Sequence, residues 1–319
     1  MKRRHLAAAA AGLLAAPALA SAQDRPLRIV VPFAPGGTSD ILARILALEL
    51  TRLLGQGVVV ENRTGAAGNI GAEHVARSTP DGTTVLLIDT GALATAPSLY
   101  ARLPFDPLRD LAPVTMLIYA PYILAVHPSV PARTAPELVA LARARPQAVN
   151  VAHSGVGAAN HLTALMLTQA WGAELTQVPY RGGAAALTAV AGGEAQLIIN
   201  GATATAPFAR DGRMRALAVS GPRRLSDLPD VPTFAELGWP AGDSGTWQGV
   251  LVAGGTPAPL VARLDQAFRQ ALAVPEVARR MAELGADIRA EGPEPFRRWL
   301  AAETETVGRV VRANNIRLD

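Results

Sequence analysis

Residues Ile29 to Asp40 read Ile-Val-Val-Pro-Phe-Ala-Pro-Gly-Gly-Thr-Ser-Asp, a buried-strand pattern that runs straight into a glycine turn and a helix start. In such a junction the free backbone N–H groups at Gly36, Gly37, Thr38 and Ser39 converge on a carboxylate or phosphate, with the positive end of a helix behind them. A near copy occurs at Val178-Pro179-Tyr180-Arg181-Gly182-Gly183, followed by an alanine-rich helical run from Ala184 to Ala191. Two anion cradles in separate parts of one chain predict a ligand gripped from both sides of a cleft.

Other loops repeat the plan. Thr90-Gly91-Ala92 follows a strand, at the carboxyl end where open α/β sheets bind ligands. The loop from His153 to His161 ends in a helix start, and Ser154 with the backbone near Ala159 and Asn160 supplies donors. Tyr180 is placed to cover a ligand or close a lobe interface, and Arg181 to pair with its carboxylate or with the opposing lobe. Asn200 ends a strand and can reach the same cleft. Asp40 either stabilises the first turn of its helix or meets an amino or hydroxyl group on the ligand. The glycine-rich turn Arg63 to Gly71 lacks both G-x-G-x-x-G spacing and a following lysine, so it lines the cleft or serves structure alone.

Absences narrow the chemistry. The only lysine is Lys2 and there is no cysteine, which excludes a Walker lysine, a pyridoxal Schiff base, a Ser-Lys dyad, thiolate nucleophiles and thiolate metal sites. His153 and His161 lie eight residues apart with no third ligand, and Ser154-Gly155 lacks the Gly-x-Ser-x-Gly elbow. No metal, no cofactor and no catalysis are expected. Lys2, Arg3 and Arg4 precede an apolar run from Leu6 to Leu19 and small-residue cleavage sites near Ala20 to Ala22, the pattern of a secretory signal peptide over residues 1–22. Removing it lowers the formal charge from +4 to +1. With no clustered basic stripe, no nucleic-acid partner is expected, and no later segment is apolar enough to span a bilayer.

The rest alternates short β-branched runs with alanine- and leucine-rich helical runs, the pattern of α/β sheets covered on both faces. Strands are predicted at Leu27–Val31, Val58–Asn62, Thr84–Leu87, Thr115–Ile118, Ile123–Val126, Val149–Ala152, Leu175–Val178, Gln196–Ile199, Leu217–Val219 and Gly249–Val252. Helices are predicted at Ile41–Leu54, Gly68–Ala76, Ala135–Ala144, Asn160–Ala170, Ala184–Ala191, Pro257–Ala273, Pro275–Leu284 and Pro293–Val311. Extended stretches at Tyr119–Pro128 and Ser226–Gly245 read as two crossovers. The segment after the second is too short for its own core, so it should return to the first unit. The expected fold is therefore two α/β lobes around a cleft, with residues 25–122 and 240–319 in lobe 1 and 123–239 in lobe 2.

The ordered motifs VVPFAPGGTSDILAR, VVVENRTGAAGNIGAE, PDGTTVLL, PLRDLAPVT, VPYRGG, GRMRALAVS and LPDVPTFAELG span nearly all of the chain beyond the leader. Together they resemble the tripartite tricarboxylate transporter substrate-binding proteins, the Bug or TctC-like family. That resemblance implies a monomeric, periplasmic-binding-protein-like (Venus flytrap) receptor in the periplasm, which captures a small carboxylate and delivers it to membrane permease subunits. Carried onto this sequence, the family's backbone-dominated site implies contacts from Phe33, Ala34, Gly37, Thr38, Asp40, Thr90, Ser154, Ala159, His161, Pro179, Tyr180 and Gly182. Two departures bear on specificity: the His153–His161 loop carries alanine and asparagine where the family has hydroxyl and ring donors, and Ile199-Asn200-Gly201 lacks the usual aromatic. Alternatives of another class are a sensing module that docks on a membrane receptor and an exported enzyme.

Overall fold

The structure, a computed structural model, describes residues 25–313. The predicted leader lies outside the described residues. The first half of lobe 1 follows the predicted alternation: β1 (Leu27–Val31), α1 (Thr38–Leu54), β2 (Val58–Asn62), α2 (Asn69–Ala76), β3 (Thr84–Asp89) and α3 (Thr90–Leu99). Then comes β4 (Leu111–Val126), followed by α4 (Ala135–Ala144), β5 (Val151–His153), α5 (Ala159–Ala170), β6 (Gln177–Pro179), α6 (Gly183–Ala191), β7 (Leu197–Gly201), α7 (Ala202–Arg210) and β8 (Arg215–Val219). The chain closes with β9 (Gly245–Ala253), α8 (Ala258–Ala273), α9 (Pro275–Glu283), β10 (Asp287–Glu291) and α10 (Pro293–Ala313).

One strand joins the two lobes. The sequence predicts two separate strands around an extended crossover at Tyr119–Pro128, but β4 runs unbroken for 16 residues, all of them buried. Its prolines mislead a local reading because proline normally breaks a ladder. Here the register slips between Pro113 and Thr115, and Pro121 sits where β4 passes from one sheet to the other. Residues Leu111 to Pro121 pair with β9, whereas Tyr122 to Val126 pair with β7 and β8. In the first sheet β1 lies between β2 and β3 with parallel pairing, and β9 joins β3 to β4 antiparallel. In the second sheet β5 lies between β6 and β7, again parallel.

Each sheet carries apolar residues on both faces, as strands covered by helices must. On the first, α1, α8 and α9 bury Leu42, Leu46, Phe268 and Met281 on one face, while α2, α3 and α10 bury Val75, Leu93 and Phe296 on the other. On the second, α4 and α5 bury Leu138 and Leu167, and α6 and α7 bury Leu187 and Ala204 on the opposite face. The sequence reading missed α3 and α7. Both carry β-branched threonines and an internal proline, Pro97 or Pro207, so propensity argues against them. Burial overrides propensity, since Thr90 to Ala96 and Ala202 to Ala206 are all buried.

Candidate functional site

The strands of both sheets deliver helix starts to one point between the lobes. Gly37 caps α1, Ala158 caps α5, Gly182 caps α6 and Gly201 caps α7, and none of these four caps donates a side-chain hydrogen-bond acceptor to its helix. Three are glycine and one is alanine, so no side chain is available to satisfy the orphan N–H groups of the first turn. Gly37, Ala158, Gly183 and Gly201 line one inner cavity together with Phe33, Thr38, Ser39, Asp89, Tyr122, Ser154, Asn160, Asn200, Thr246 and Gln248. Its volume is about 50 Å³, where one water needs roughly 10–15 Å³. That is room for a few waters or a short acid. A wider vestibule of about 330 Å³ adjoins it, shares Phe33 and Ser154, and is lined further by Thr64 to Gly68 and Tyr180 to Gly182.

The lobes meet closely around this cavity. A β-carbon built on Gly91 would lie 3.0 Å from Ala159 Cβ, and one on Gly201 would lie 2.9 Å from Thr38 Oγ1 and 2.7 Å from Thr246 Cγ2. Gly182, at φ +105°, brings its backbone within reach of Ala34, whose nitrogen would lie 3.6 Å from an added β-carbon.

Beneath the cavity a hydrogen-bond chain leads from the α1 end to an acid. Ser39 Oγ donates to Gln248 Oε1 at 2.7 Å, and Gln248 Nε2 donates to Thr246 Oγ1 at 2.5 Å. The Thr246 hydroxyl then donates to the Asp89 carboxylate. Asp89 also caps α3, accepting from the Gly91 N–H at 3.0 Å. Burial pushes its carboxyl up to about 6, against the pull of Thr246, Gly91 and Ala92 and with some help from the Glu303 charge. It is ionised at neutral pH. Tyr122 is 2% exposed and its hydroxyl has no partner, while burial and then the charge of Asp89 raise its pKa.

Of the residues the sequence points to, Phe33, Gly37, Thr38, Ser154, Ala159 and Asn200 line the inner cavity, and Tyr180 and Gly182 line the vestibule. The others lie elsewhere. Asp40 is buried under the α1 turn, where it accepts from Gly36 N–H at 2.9 Å, from Arg44 Nε and from Asn62 Nδ2. Burial works to raise its pKa, but Arg44, Gly36 and Asn62 outweigh it and hold the carboxyl below its ordinary value. Gly36 N–H is thereby spent within the loop. Thr90 is fully buried and donates to the Trp247 carbonyl at 2.9 Å. His161 stacks on His153 at 4.2 Å and accepts from Gly157 N–H, and burial followed by the His153 charge lowers its pKa to about 3, so the ring is neutral. Pro179 is exposed at the end of β6, Ala34 backs Gly182, and the exposed Arg181 borders only the vestibule. Among residues that sequence reasoning missed, Asp89 carries a legible signal, an acid at a strand end directly before Thr-Gly. Tyr122, Thr246 and Gln248 carry none, because they enter from β4 and β9, strands far along the chain from the cradle loops.

Residues 42–316 match the sequence profile of the Tripartite tricarboxylate transporter family receptor, TctC. The chain belongs to this receptor family. Protein BugT of Bordetella pertussis (strain Tohama I) is 35% identical to it over 311 residues, which cover 97% of this chain and 95% of that one. Among solved structures, R. palustris Rpa4515 with adipate superposes with a TM-score of 0.88 at 33% identity, covering 92% of this chain and 99% of that one. MatC from Rhodopseudomonas palustris with bound malate gives 0.85 at 31%, covering 90% and 99%. The receptor thus has the bilobed α/β periplasmic-binding-protein fold. Its family is one of binding proteins without a catalytic role, and among the described residues no group of three or more His, Asp or Glu is placed to hold a metal ion. No described helix is long and apolar enough to cross a membrane.

Proposed function

We propose that the receptor captures a small carboxylate in the inner cavity between residues 25–122 with 240–319 on one side and 123–239 on the other, and hands it to the membrane subunits of a tripartite tricarboxylate-type transporter from the periplasm. The observation that carries this reading is the convergence of four helix starts without side-chain caps on a cavity whose lining holds no arginine or histidine. Each helix end carries roughly half a positive charge on its unsatisfied N–H groups. An anion there replaces water with several fixed, charge-assisted hydrogen bonds. Malate and adipate in two solved relatives support the same ligand class. Gly37, Thr38, Ser154, Ala159 and Asn200 supply the contacts in this reading, with Phe33 and Tyr180 closing the approach.

The test is calorimetry on receptor unfolded, stripped of ligand and refolded, titrated with short mono- and dicarboxylates and amino acids. Saturable binding of one class, with a Tm that rises with ligand concentration, is expected. Absence of binding by every acid would remove the cavity as a carboxylate site.

A further inference from the structure

The donors around the inner cavity are not evenly spread. The starts of α1, α5, α6 and α7 offer free N–H groups, whereas the start of α3 is closed by its own Asp89 carboxylate. Asp89 is the one side chain among the cavity's lining residues that is ionised at neutral pH. A carboxylate accepts about four hydrogen bonds. Gly91 N–H, Ala92 N–H and the Thr246 hydroxyl account for three, and Asp89 still lines the cavity with acceptor capacity to spare. Tyr122 lines the same cavity and feels the Asp89 charge, and its buried hydroxyl has no partner.

We propose that Asp89 sets ligand specificity, so that the cavity prefers a short acid whose second polar group is a cationic nitrogen, a zwitterionic amino acid, over a dicarboxylate. This rests on the reading of the cavity as a carboxylate site. The ligand's carboxylate takes the uncapped helix starts. Its ammonium has donors and no acceptors, and so meets both the Asp89 carboxylate and the Tyr122 oxygen. A second carboxylate in that position would set two like charges together in a small enclosed space with no arginine in its lining to bridge them. A hydroxyl would supply one donor and leave the Asp89 charge uncompensated by the ligand.

The experiment is calorimetry on stripped receptor with α- and ω-amino acids, hydroxy acids and dicarboxylates of three to six carbons as probes, on the wild type, Asp89→Asn and Asp89→Ser. Asn and Ser both cap helix starts, so α3 keeps its first turn without the charge. The wild type should bind its best amino acid at least tenfold tighter than its best dicarboxylate, and both variants should erase or reverse that preference. A wild type that binds a dicarboxylate equally well or better, or variants that keep the wild-type ratio, would overturn the role of Asp89 while leaving the carboxylate site standing. Failure of every probe to bind the wild type would overturn both.

Discussion

Asp89 serves structure and site at once, and its two duties pull its charge in opposite directions. As a cap it accepts from Gly91 and Thr246, yet burial still raises its carboxyl to about 6 from an unfolded value near 3.8. Between those two pH values the folded chain holds a proton that the unfolded chain has released. Stability from this group therefore falls as pH rises through that window and is level above it. The full displacement corresponds to at most about 3 kcal/mol. His161, lowered to about 3, works against it, because the unfolded imidazole takes its proton first as pH falls. Only a difference isolates Asp89. Thermal melts of wild type and Asp89→Asn without ligand should show the variant more stable at pH 7.5, with the gap closing towards pH 4; a gap that stays constant with pH would mean that Asp89 is not displaced.

At the scale of elements, the helices divide by how they start. Away from the cavity, α4 is capped by Thr134, which accepts from Glu137 N–H, while the Glu137 carboxylate accepts in turn from Arg133 N–H at 2.7 Å. Such reciprocal caps stabilise a helix in isolation. At the cavity α1, α5, α6 and α7 forgo them, so their first-turn N–H groups stay free for a ligand. Filling one in cis should therefore trade binding for self-sufficiency. Gly37 has φ −80° and ψ 169°, open to any residue, and a β-carbon there would meet only Ala34 O at 3.7 Å. Gly37→Asp should leave the unliganded stability unchanged or raised by about a few tenths of a kcal/mol, while carboxylate affinity falls at least tenfold by titration calorimetry. An affinity equal to wild type would show that the α1 end does not hold the anion.

At the scale of the molecule, β4 ties the lobes together, and the chain crosses between them a second time just before β9. β4 changes sheets at Pro121 to Tyr122, opposite the start of β9 at Gly245. Ser220 Oγ accepts from Tyr122 N–H and donates to Ser244 O, while Tyr119 Oη also donates to Ser244 O at 3.0 Å. Away from these crossings the lobes touch through small side chains, with Gly91 against Ala159 and Gly36 against Ala184. A ligand favours this closed arrangement only by contacting it better than an open one. Ala159→Leu should fill the inner cavity and press on Gly91, yet lie in solvent when the lobes part. Its unliganded stability should stay within about 0.5 kcal/mol of wild type. Small-angle scattering should then show no contraction on adding an acid that contracts the wild type; contraction of the variant would mean that closure does not need this contact.

Much of this was written locally. Short β-branched apolar runs and capping signals place β1, β2 and α4 at the predicted bounds, because side-chain branching and turn chemistry act over a few residues. The two glycine cradles at Gly36-Gly37 and Gly182-Gly183 were legible for the same reason: a helix with no cap residue advertises free N–H groups in its own sequence. Tertiary structure alone decided which polar groups remain available. Asp40, next to the first cradle, is consumed by Gly36, Arg44 and Asn62, while Thr246 and Gln248, far along the chain, form the cavity floor. The bond from Ser39 to Gln248 spans 209 residues, and no local pattern encodes a partner brought in on the opposite strand. The continuity of β4 through Pro113 and Pro121 is likewise a property of the paired sheets, since the register slip near Pro113 and the change of sheet at Pro121 exist only once β7 and β9 are in place.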